Sequence, residues 1–125
     1  MRIVLIDTPQ IRIRNEQCGD WWAFGKNQIT VHVLEGMSPE AQLAVAIHEL
    51  IEAWLCHKHG VPDEVVCTFD QQYEAERKQG KHKEDDEPGD DPRSPYRKEH
   101  MAATHVERAV CHVLNVPYEF IPPVP

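Results

Sequence analysis

One histidine and two glutamates are the only strongly polar side chains in an otherwise apolar stretch of the sequence. His48, Glu49 and Glu52 lie within the segment Leu43 to Cys56. In an α-helix, residues four apart lie on the same face, so His48 and Glu52 would present two ligand groups to one point. Glu49 would lie about 100° around the helix axis from His48. The three side chains would therefore share one arc of a helix.

This arrangement predicts a site for a divalent metal ion. A helix that is apolar on every side is normally buried on every side, and ionised carboxylates are costly to bury without partners. A cation bound by His48 and Glu52 would compensate for that cost. Glu49 would then lie beside an open position of the ion, where it could act as a general base toward a bound water molecule. The alternative is a core helix in which His48 bonds a backbone carbonyl and both glutamates reach solvent or arginines.

A second helix, predicted from Ser94 to about Asn115, offers candidates for the third ligand. Its apolar positions form one face when they are projected at about 100° per residue. His100 and Glu107 lie together on one flank of this face. We expect His100 to be a ligand and Glu107 to orient it or to join the site. His105 lies on the opposite flank and is the alternative ligand.

A further acidic pair could extend the site. Asp70 and Glu74 are four positions apart, so they would share one helix face and could reach the same ion or a second ion. Such a pair is more often part of a solvated surface. Both residues are therefore candidates for an extra ligand rather than members of the main site.

The cysteines favour a reduced, cytoplasmic protein. Four cysteines are scattered along the chain without a Cys-x-x-Cys pair. The segment Met1–Asp7 reaches an acid too early for the apolar core of a signal peptide. We therefore expect free thiols. A structural zinc site from Cys56, His57, His59 and Cys67 is the less favoured alternative, because that spacing fits no recognised ligand pattern.

The charge of the chain favours a cation over a nucleic acid as partner. Its 21 acidic and 13 basic residues give a net charge of −8, and residues 15–75 hold ten acids and only two bases. An acidic body repels phosphate backbones, so direct nucleic-acid binding is not expected. No apolar run is long enough to span a bilayer, so a membrane is not expected as partner either. The expected partner is a peptide or protein substrate, and the sequence makes no prediction of oligomeric state.

The first third of the 125-residue chain is predicted to form β-structure. Short apolar or alternating runs between glycine-containing turns are typical of strands. These runs are Ile3–Ile6, Ile11–Arg14 and Ile29–Val33, the last with Ile29, Val31 and Val33 on its buried face. We expect Trp21, Trp22 and Phe24 to pack around the hairpin that contains the last run.

Ser-Pro pairs predict where two helices begin, because serine is a preferred N-cap and proline is favoured at the first helical position. One helix should run from Ser38-Pro39 to about His59, just before Gly60, and the other should begin at Ser94-Pro95. A third, shorter helix is predicted around Phe69 to Lys78. Two segments are expected to lie outside regular structure, an acidic flexible loop at residues 80–93 and a Pro-rich extended tail at residues 117–125.

The segment Ala46-Ile47-His48-Glu49-Leu50-Ile51-Glu52-Ala53 resembles the active-site helix of zincin metallopeptidases. The order of elements is similar too, with a strand before the motif helix and a second helix that brings a further ligand. The closest likeness is to short, minimal zincin-like proteins of phages and bacteria. Two further segments look like theirs, Glu87–Asp90 and Pro95 through His100 to Glu107.

This resemblance covers residues 20–116 and implies a single zincin-like domain over residues 1–125. The implied fold class is α+β, with a small, mostly antiparallel sheet packed on a buried motif helix and a second long helix. The implied function is that of a metal-dependent hydrolase, a small peptidase in which Glu49 is the general base.

The motif departs from the usual zincin pattern at its end, where Glu52 replaces a histidine. With His100 as third ligand, two histidines and one glutamate would hold the ion, the same complement as in thermolysin-type sites. Zinc is the expected ion, and the harder donor set could also favour Mn²⁺ or Fe²⁺.

Two other functions are compatible with these residues. The first is a non-catalytic, metal-stabilised binding or phage-accessory protein, whose site would be closed by a fourth ligand such as Glu107 or Asp70. The second is a toxin, antitoxin or regulator that acts by proteolysis of one partner.

Overall fold

A computed structural model describes residues 1–9, 18–25 and 27–115 of the chain, except for the side chain of Phe24. Within these residues the fold is α+β, as predicted. The predicted strand Ile11–Arg14 and the predicted tail 117–125 lie outside the described residues. In chain order the elements are β1 (Arg2–Thr8), β2 (Gly19–Phe24), β3 (Gln28–Leu34), α1 (Pro39–Lys58), α2 (Asp63–Lys78), a 3₁₀ turn (Pro88–Asp90) and α3 (Arg97–Val113).

The described strands form one mixed sheet in the order β1-β3-β2. β2 and β3 are antiparallel neighbours, whereas β1 pairs with β3 in parallel. The expectation of a mostly antiparallel sheet is therefore corrected to one pair of each kind. The reason is topological. β3 lies between β1 and β2, so it pairs with the antiparallel strand that precedes it and also with β1, which runs in its own direction.

One face of this sheet packs against α1 and forms the core. Ile29, Val31 and Val33 are each 1% exposed, which confirms the predicted buried face of the strand. Trp21 lies directly opposite Val31 and is also buried, whereas Trp22 is only partly buried. The expected packing of Trp21 around the hairpin is confirmed, and it places this indole beneath α1.

The local signals at both ends of α1 act as predicted. The backbone N–H of Ala41 donates to the side chain of Ser38, Pro39 occupies the first turn, and His59 caps the other end. Gly60 follows with φ +70°, a backbone conformation that favours glycine.

The expectation that α1 is buried on every side is wrong. Leu43 and Trp54 are 45% and 43% exposed, while His48 and Glu52 lie on the buried face. The sheet and α3 cover that one face, so the apolar side chains opposite it are left at the surface. The buried face of α1 thus carries His48 and Glu52 among the core residues Val45, Ala53 and Cys56, while two large apolar side chains stay at the surface.

The other two helices have different starting points from those predicted. α3 begins at Arg97 rather than after Ser94, because the Ser94 hydroxyl accepts the N–H of Tyr96 in a local turn instead of capping the helix. α2 begins at Asp63, six residues before the predicted Phe69. Its first turn carries Asp63 and Glu64, whose charges suit a helix N-terminus.

The acidic segment 80–93 is tied to α2. The Arg77 guanidinium donates to the backbone carbonyls of Lys83, Glu84 and Asp86. At the other end of the segment, Arg93 donates to the Glu76 carboxylate at 2.7 Å. These contacts hold the 3₁₀ turn beside α3. No helix in the described part of the chain is both long and apolar enough to cross a membrane.

The two Ser-Pro pairs predict different losses of stability when their serine is replaced by alanine. Ser38→Ala removes a helix cap and should lower the free energy of unfolding by about 1 kcal/mol. Ser94→Ala is the matched control and should cost less than half as much, because its hydroxyl supports only a local turn. Urea unfolding of both variants measures the difference, and equal losses would contradict the assignment of the caps.

Candidate metal centre

Three buried side chains from two helices meet between α1 and α3. His48, Glu52 and His100 are 7%, 6% and 5% exposed. Glu52 Oε2 lies 3.2 Å from His48 Nε2 and 2.8 Å from His100 Nδ1. One nitrogen or oxygen from each of the three residues lies within 4.8 Å of the others. A tetrahedral zinc ion at ~2.1 Å from its ligands would hold them about 3.4 Å apart, so the spacing suits a shared cation.

The structure therefore brings together the three residues that the sequence predicts as ligands. Helix periodicity accounts for His48 and Glu52, which are one turn apart on the buried face of α1. His100 comes from the first turn of α3, and its ring lies 4.8 Å from that of His48, edge to face. That these residues bind an ion stays a prediction.

The 3₁₀ turn contacts the opposite side of His100. His100 Nε2 lies 3.2 Å from Glu87 Oε2 and 3.2 Å from Asp90 Oδ1. A Cβ on Gly89 would lie only 2.3 Å from His100 Cγ, so glycine is what allows the backbone to rest on the ring. Glu87, Asp90 and His100 form a second group whose atoms could hold a cation. Hydrogen bonds from Nε2 to these carboxylates would instead orient His100 so that Nδ1 faces Glu52.

Glu107 lies behind His48. Its Oε1 is 3.4 Å from His48 Nδ1, close enough for ionic attraction. The geometry is not that of a hydrogen bond, and His48 Nδ1 is a buried nitrogen without a hydrogen-bond partner in the described part of the chain. Glu107 is thus placed to orient His48, in keeping with the supporting role expected of it.

Glu49 lies between α1 and the start of β2. A Cβ on Gly19 would lie 2.8 Å from Glu49 Cγ, so this glycine gives the glutamate its space beside the strand. Burial and the negative charge of Glu52 raise the pKa of Glu49 well above its usual value. A carboxylate whose pKa is raised in this way is a stronger base than an ordinary glutamate.

The surrounding carboxylates also control the protonation of the two histidines. Burial alone would lower the pKa of His48, but Glu107 and Glu52 outweigh it and raise this pKa to about 10. Asp90 and Glu52 likewise raise the pKa of His100 to about 12 against the effect of burial. Although burial opposes it, hydrogen bonds from both imidazoles hold the pKa of Glu52 well below its usual range. A cation must therefore displace protons from both histidines.

The three other candidate ligands have different surroundings, so their expected part in the site is corrected. Asp70 is buried but accepts a hydrogen bond from the Tyr96 hydroxyl. Glu74 pairs with Arg77 at 2.9 Å, and His105 is exposed on the outer face of α3. None of the three belongs to a metal-holding group among the described residues.

The less favoured cysteine site also fails to form in the described part of the chain. Cys56, His57, His59 and Cys67 do not make a metal-holding group there. Cys56 is fully buried in the core, whereas His57 and His59 are exposed, so their side chains do not converge.

Trp21 is a site residue for which the sequence favours core packing over ligand binding. Its indole N–H donates to Glu52 Oε1 at 3.0 Å. No sequence signal identifies this contact, because its partners are 31 positions apart and belong to different elements. The contacts of Glu87 and Asp90 with His100 depend on the path of the loop, so the sequence does not predict them.

Comparison of the chain with protein-family models, curated proteins and solved structures finds no match. The resemblance to zincins thus rests on the motif residues alone, and the case for a metal centre rests on the geometry of its side chains.

The close approach of Gly89 predicts a specific loss at the site. Gly89→Ala would push a methyl group into the His100 ring, so the free energy of unfolding should fall by about 1–3 kcal/mol. The rise in melting temperature caused by added zinc should shrink at the same time. Gly36→Ala is the control, because Gly36 has φ +86° and its added methyl group would meet no neighbouring atom. This variant should be less stable than the wild type but should keep the rise in melting temperature caused by zinc. An unchanged zinc response in Gly89→Ala would contradict the packing described.

The charged groups of the metal-free site predict a loss of stability at alkaline pH. The folded-state pKa of His48 is raised from 6.5 to about 10, so its contribution is complete below pH 6.5 and is lost as pH rises through 10. The raised pKa values of His100 and Glu49 act in the same direction. The urea midpoint of chelator-treated protein should therefore fall as pH rises from about 7 to about 10.

Two glutamine variants test the slope of the urea midpoint against pH. His48→Gln should reduce this slope, whereas His105→Gln, at an exposed position, should leave it as in the wild type. The same slope in all three proteins would show that the buried histidines do not cause the effect.

Proposed function

We propose that this protein is a metal-dependent hydrolase that cleaves peptide bonds, with zinc as its ion. The observation that carries the proposal is the convergence of His48, Glu52 and His100 at ligand spacing, with the carboxyl group of Glu49 one helical position from His48. Two imidazole nitrogens and one carboxylate oxygen suit zinc, and Mn²⁺ or Fe²⁺ would be accepted less specifically.

The chemistry of the proposed reaction is divided between the ion and Glu49. A divalent cation at this place would polarise the scissile carbonyl and lower the pKa of a water molecule toward neutrality. Glu49 would accept the proton of the attacking water and return it to the leaving nitrogen. The raised pKa of Glu49 supports this role, because the group can hold the proton between the two transfers.

The position of β2 supports a peptide as substrate. β2 is an outer strand of the described sheet, and its residues Gly19 and Trp21 contact Glu49 and Glu52. An extended peptide that paired with the outer edge of β2 would therefore pass the site. On this edge the N–H of Ala23 donates to Asp63 at 3.1 Å and that of Trp21 donates to Asp20 at 2.8 Å, so a pairing peptide would have to displace both carboxylates.

A closed, non-catalytic metal site is the alternative, and two contacts weigh against it. It would need a fourth ligand from the chain. Glu107 approaches Nδ1 of His48, the ring nitrogen that does not face Glu52, and Asp70 is bonded to Tyr96. These contacts favour an open position on the ion and hence catalysis.

We also propose a cytoplasmic location. Cys56, Cys67 and Cys111 are thiols that form no disulfide in the described part of the chain. Free thiols persist where the surroundings are reducing, as in the cytoplasm.

Glu49→Gln tests the catalytic proposal most simply. The variant should bind one zinc ion per chain like the wild type, while cleavage of a fluorogenic peptide library should fall at least ~100-fold, because the general base is lost. Glu40→Gln, an exposed position at the start of α1, should leave both properties unchanged.

The alternative outcomes separate the competing functions. If the wild type binds zinc and melts at a lower temperature in chelator, but cleaves no peptide, the non-catalytic function is correct. If untagged wild-type protein binds no divalent ion, both metal-dependent functions are wrong.

A further inference from the structure

Trp21 bonds one oxygen of Glu52 and leaves the other oxygen to the histidines. The indole N–H lies 3.0 Å from Oε1, whereas Oε2 lies near His48 and His100. The carboxylate is therefore shared between a neutral donor from the sheet and two imidazoles from the helices. Each oxygen has its own partners, so the orientation of Glu52 is set from both sides.

We propose that Trp21 is a positioning residue that makes Glu52 offer a single oxygen to the cation. The inference rests on the proposed function, since it assumes that a divalent ion binds at His48, Glu52 and His100. A carboxylate can bind a metal ion through one oxygen or through both. A hydrogen bond from the indole to Oε1 favours binding through Oε2 alone.

The chemical consequence concerns the open position that hydrolysis needs. A catalytic zinc site keeps one position for water or substrate beside three protein ligands. If Glu52 offered both oxygens, the second oxygen would compete for that position. By holding Oε1, Trp21 would keep the position free while Glu49 stays beside it.

Core packing alone does not account for the contact. A buried tryptophan needs an acceptor for its N–H, and any neutral carbonyl would serve. Here the acceptor is a carboxylate that is itself only 6% exposed, and burying such a group is costly. The hydrogen bond is therefore better explained by the need of the buried Glu52 carboxylate for a donor than by the need of the Trp21 N–H for an acceptor.

The chain contains matched controls for Trp21. Trp22 is the next residue of β2 and points to the opposite face of the sheet, because side chains alternate along a strand. Trp54 lies on α1 but is 43% exposed. These three are all the tryptophans in the sequence, so the double variant Trp22→Phe/Trp54→Phe has Trp21 as its only tryptophan.

The central experiment is Trp21→Phe, which keeps an aromatic ring and removes the N–H donor. Zinc affinity, measured by competition with a chromophoric chelator, should fall about 10- to 100-fold, as for other groups that orient metal ligands. The visible spectrum of the Co²⁺-loaded variant should lose intensity, because Co²⁺ with more than four ligands absorbs more weakly than tetrahedral Co²⁺. Trp22→Phe should match the wild type in both measurements.

The outcomes are distinguishable from a failure of the proposed function. If the wild type binds neither Zn²⁺ nor Co²⁺, the metal site itself is wrong. If the wild type binds them and Trp21→Phe keeps both the affinity and the spectrum, the positioning role of Trp21 is overturned.

A second measurement covers the case in which Trp21→Phe does not fold. In Trp22→Phe/Trp54→Phe, zinc binding should change the fluorescence of Trp21, because the charge beside its indole N–H changes. Unchanged fluorescence under saturating zinc would overturn the inference.

Discussion

The buried negative charge of Glu52 is the constraint on which the rest of the structure depends. An ionised carboxylate in a protein interior is costly unless hydrogen bonds and opposite charges surround it. Glu52 meets this requirement with His48 from its own helix, His100 from α3 and Trp21 from β2. Three separate elements of the fold therefore contact one side chain, and the packing of α1 against the sheet and α3 is built around it.

The same constraint shapes the buried face of α1. Its polar pair faces the interior, while Leu43 and Trp54 lie at the surface. His48 and Glu52 share this buried face with the core residues Val45, Ala53 and Cys56, so the partners of Glu52 lie where α1 packs against the sheet and α3. The acidic segment 80–93 helps to fix the position of His100. Arg77 and Arg93 tie the segment to α2, and Gly89 lets the backbone of the segment contact the His100 ring.

Sequence patterns predict those features of the fold and the site that depend on residues close together in the chain. The cap at Ser38, the end of α1 at Gly60 and the buried face of β3 follow from short-range rules, and helix periodicity alone brings His48 and Glu52 together. Projection of α3 also predicts His100 rather than His105 as a ligand, because His100 shares its flank of the apolar face with Glu107.

Contacts between distant parts of the chain could not be predicted in this way. The parallel pairing of β1, the bond from Trp21 to Glu52 and the contact of Asp90 with His100 depend on the path of the chain in three dimensions. Ser94 shows the limit of local rules even at short range, because its hydroxyl is used in a turn and a nearly identical signal to that at Ser38 caps no helix.

The most direct test of the central claim is a crystal structure of the zinc-loaded protein with the ion located by its anomalous scattering. The account predicts one ion at about 2.0–2.2 Å from His48 Nε2, Glu52 Oε2 and His100 Nδ1. An ion held instead by His100 Nε2, Glu87 and Asp90, or no ion at His48 and Glu52 under saturating zinc, would contradict it.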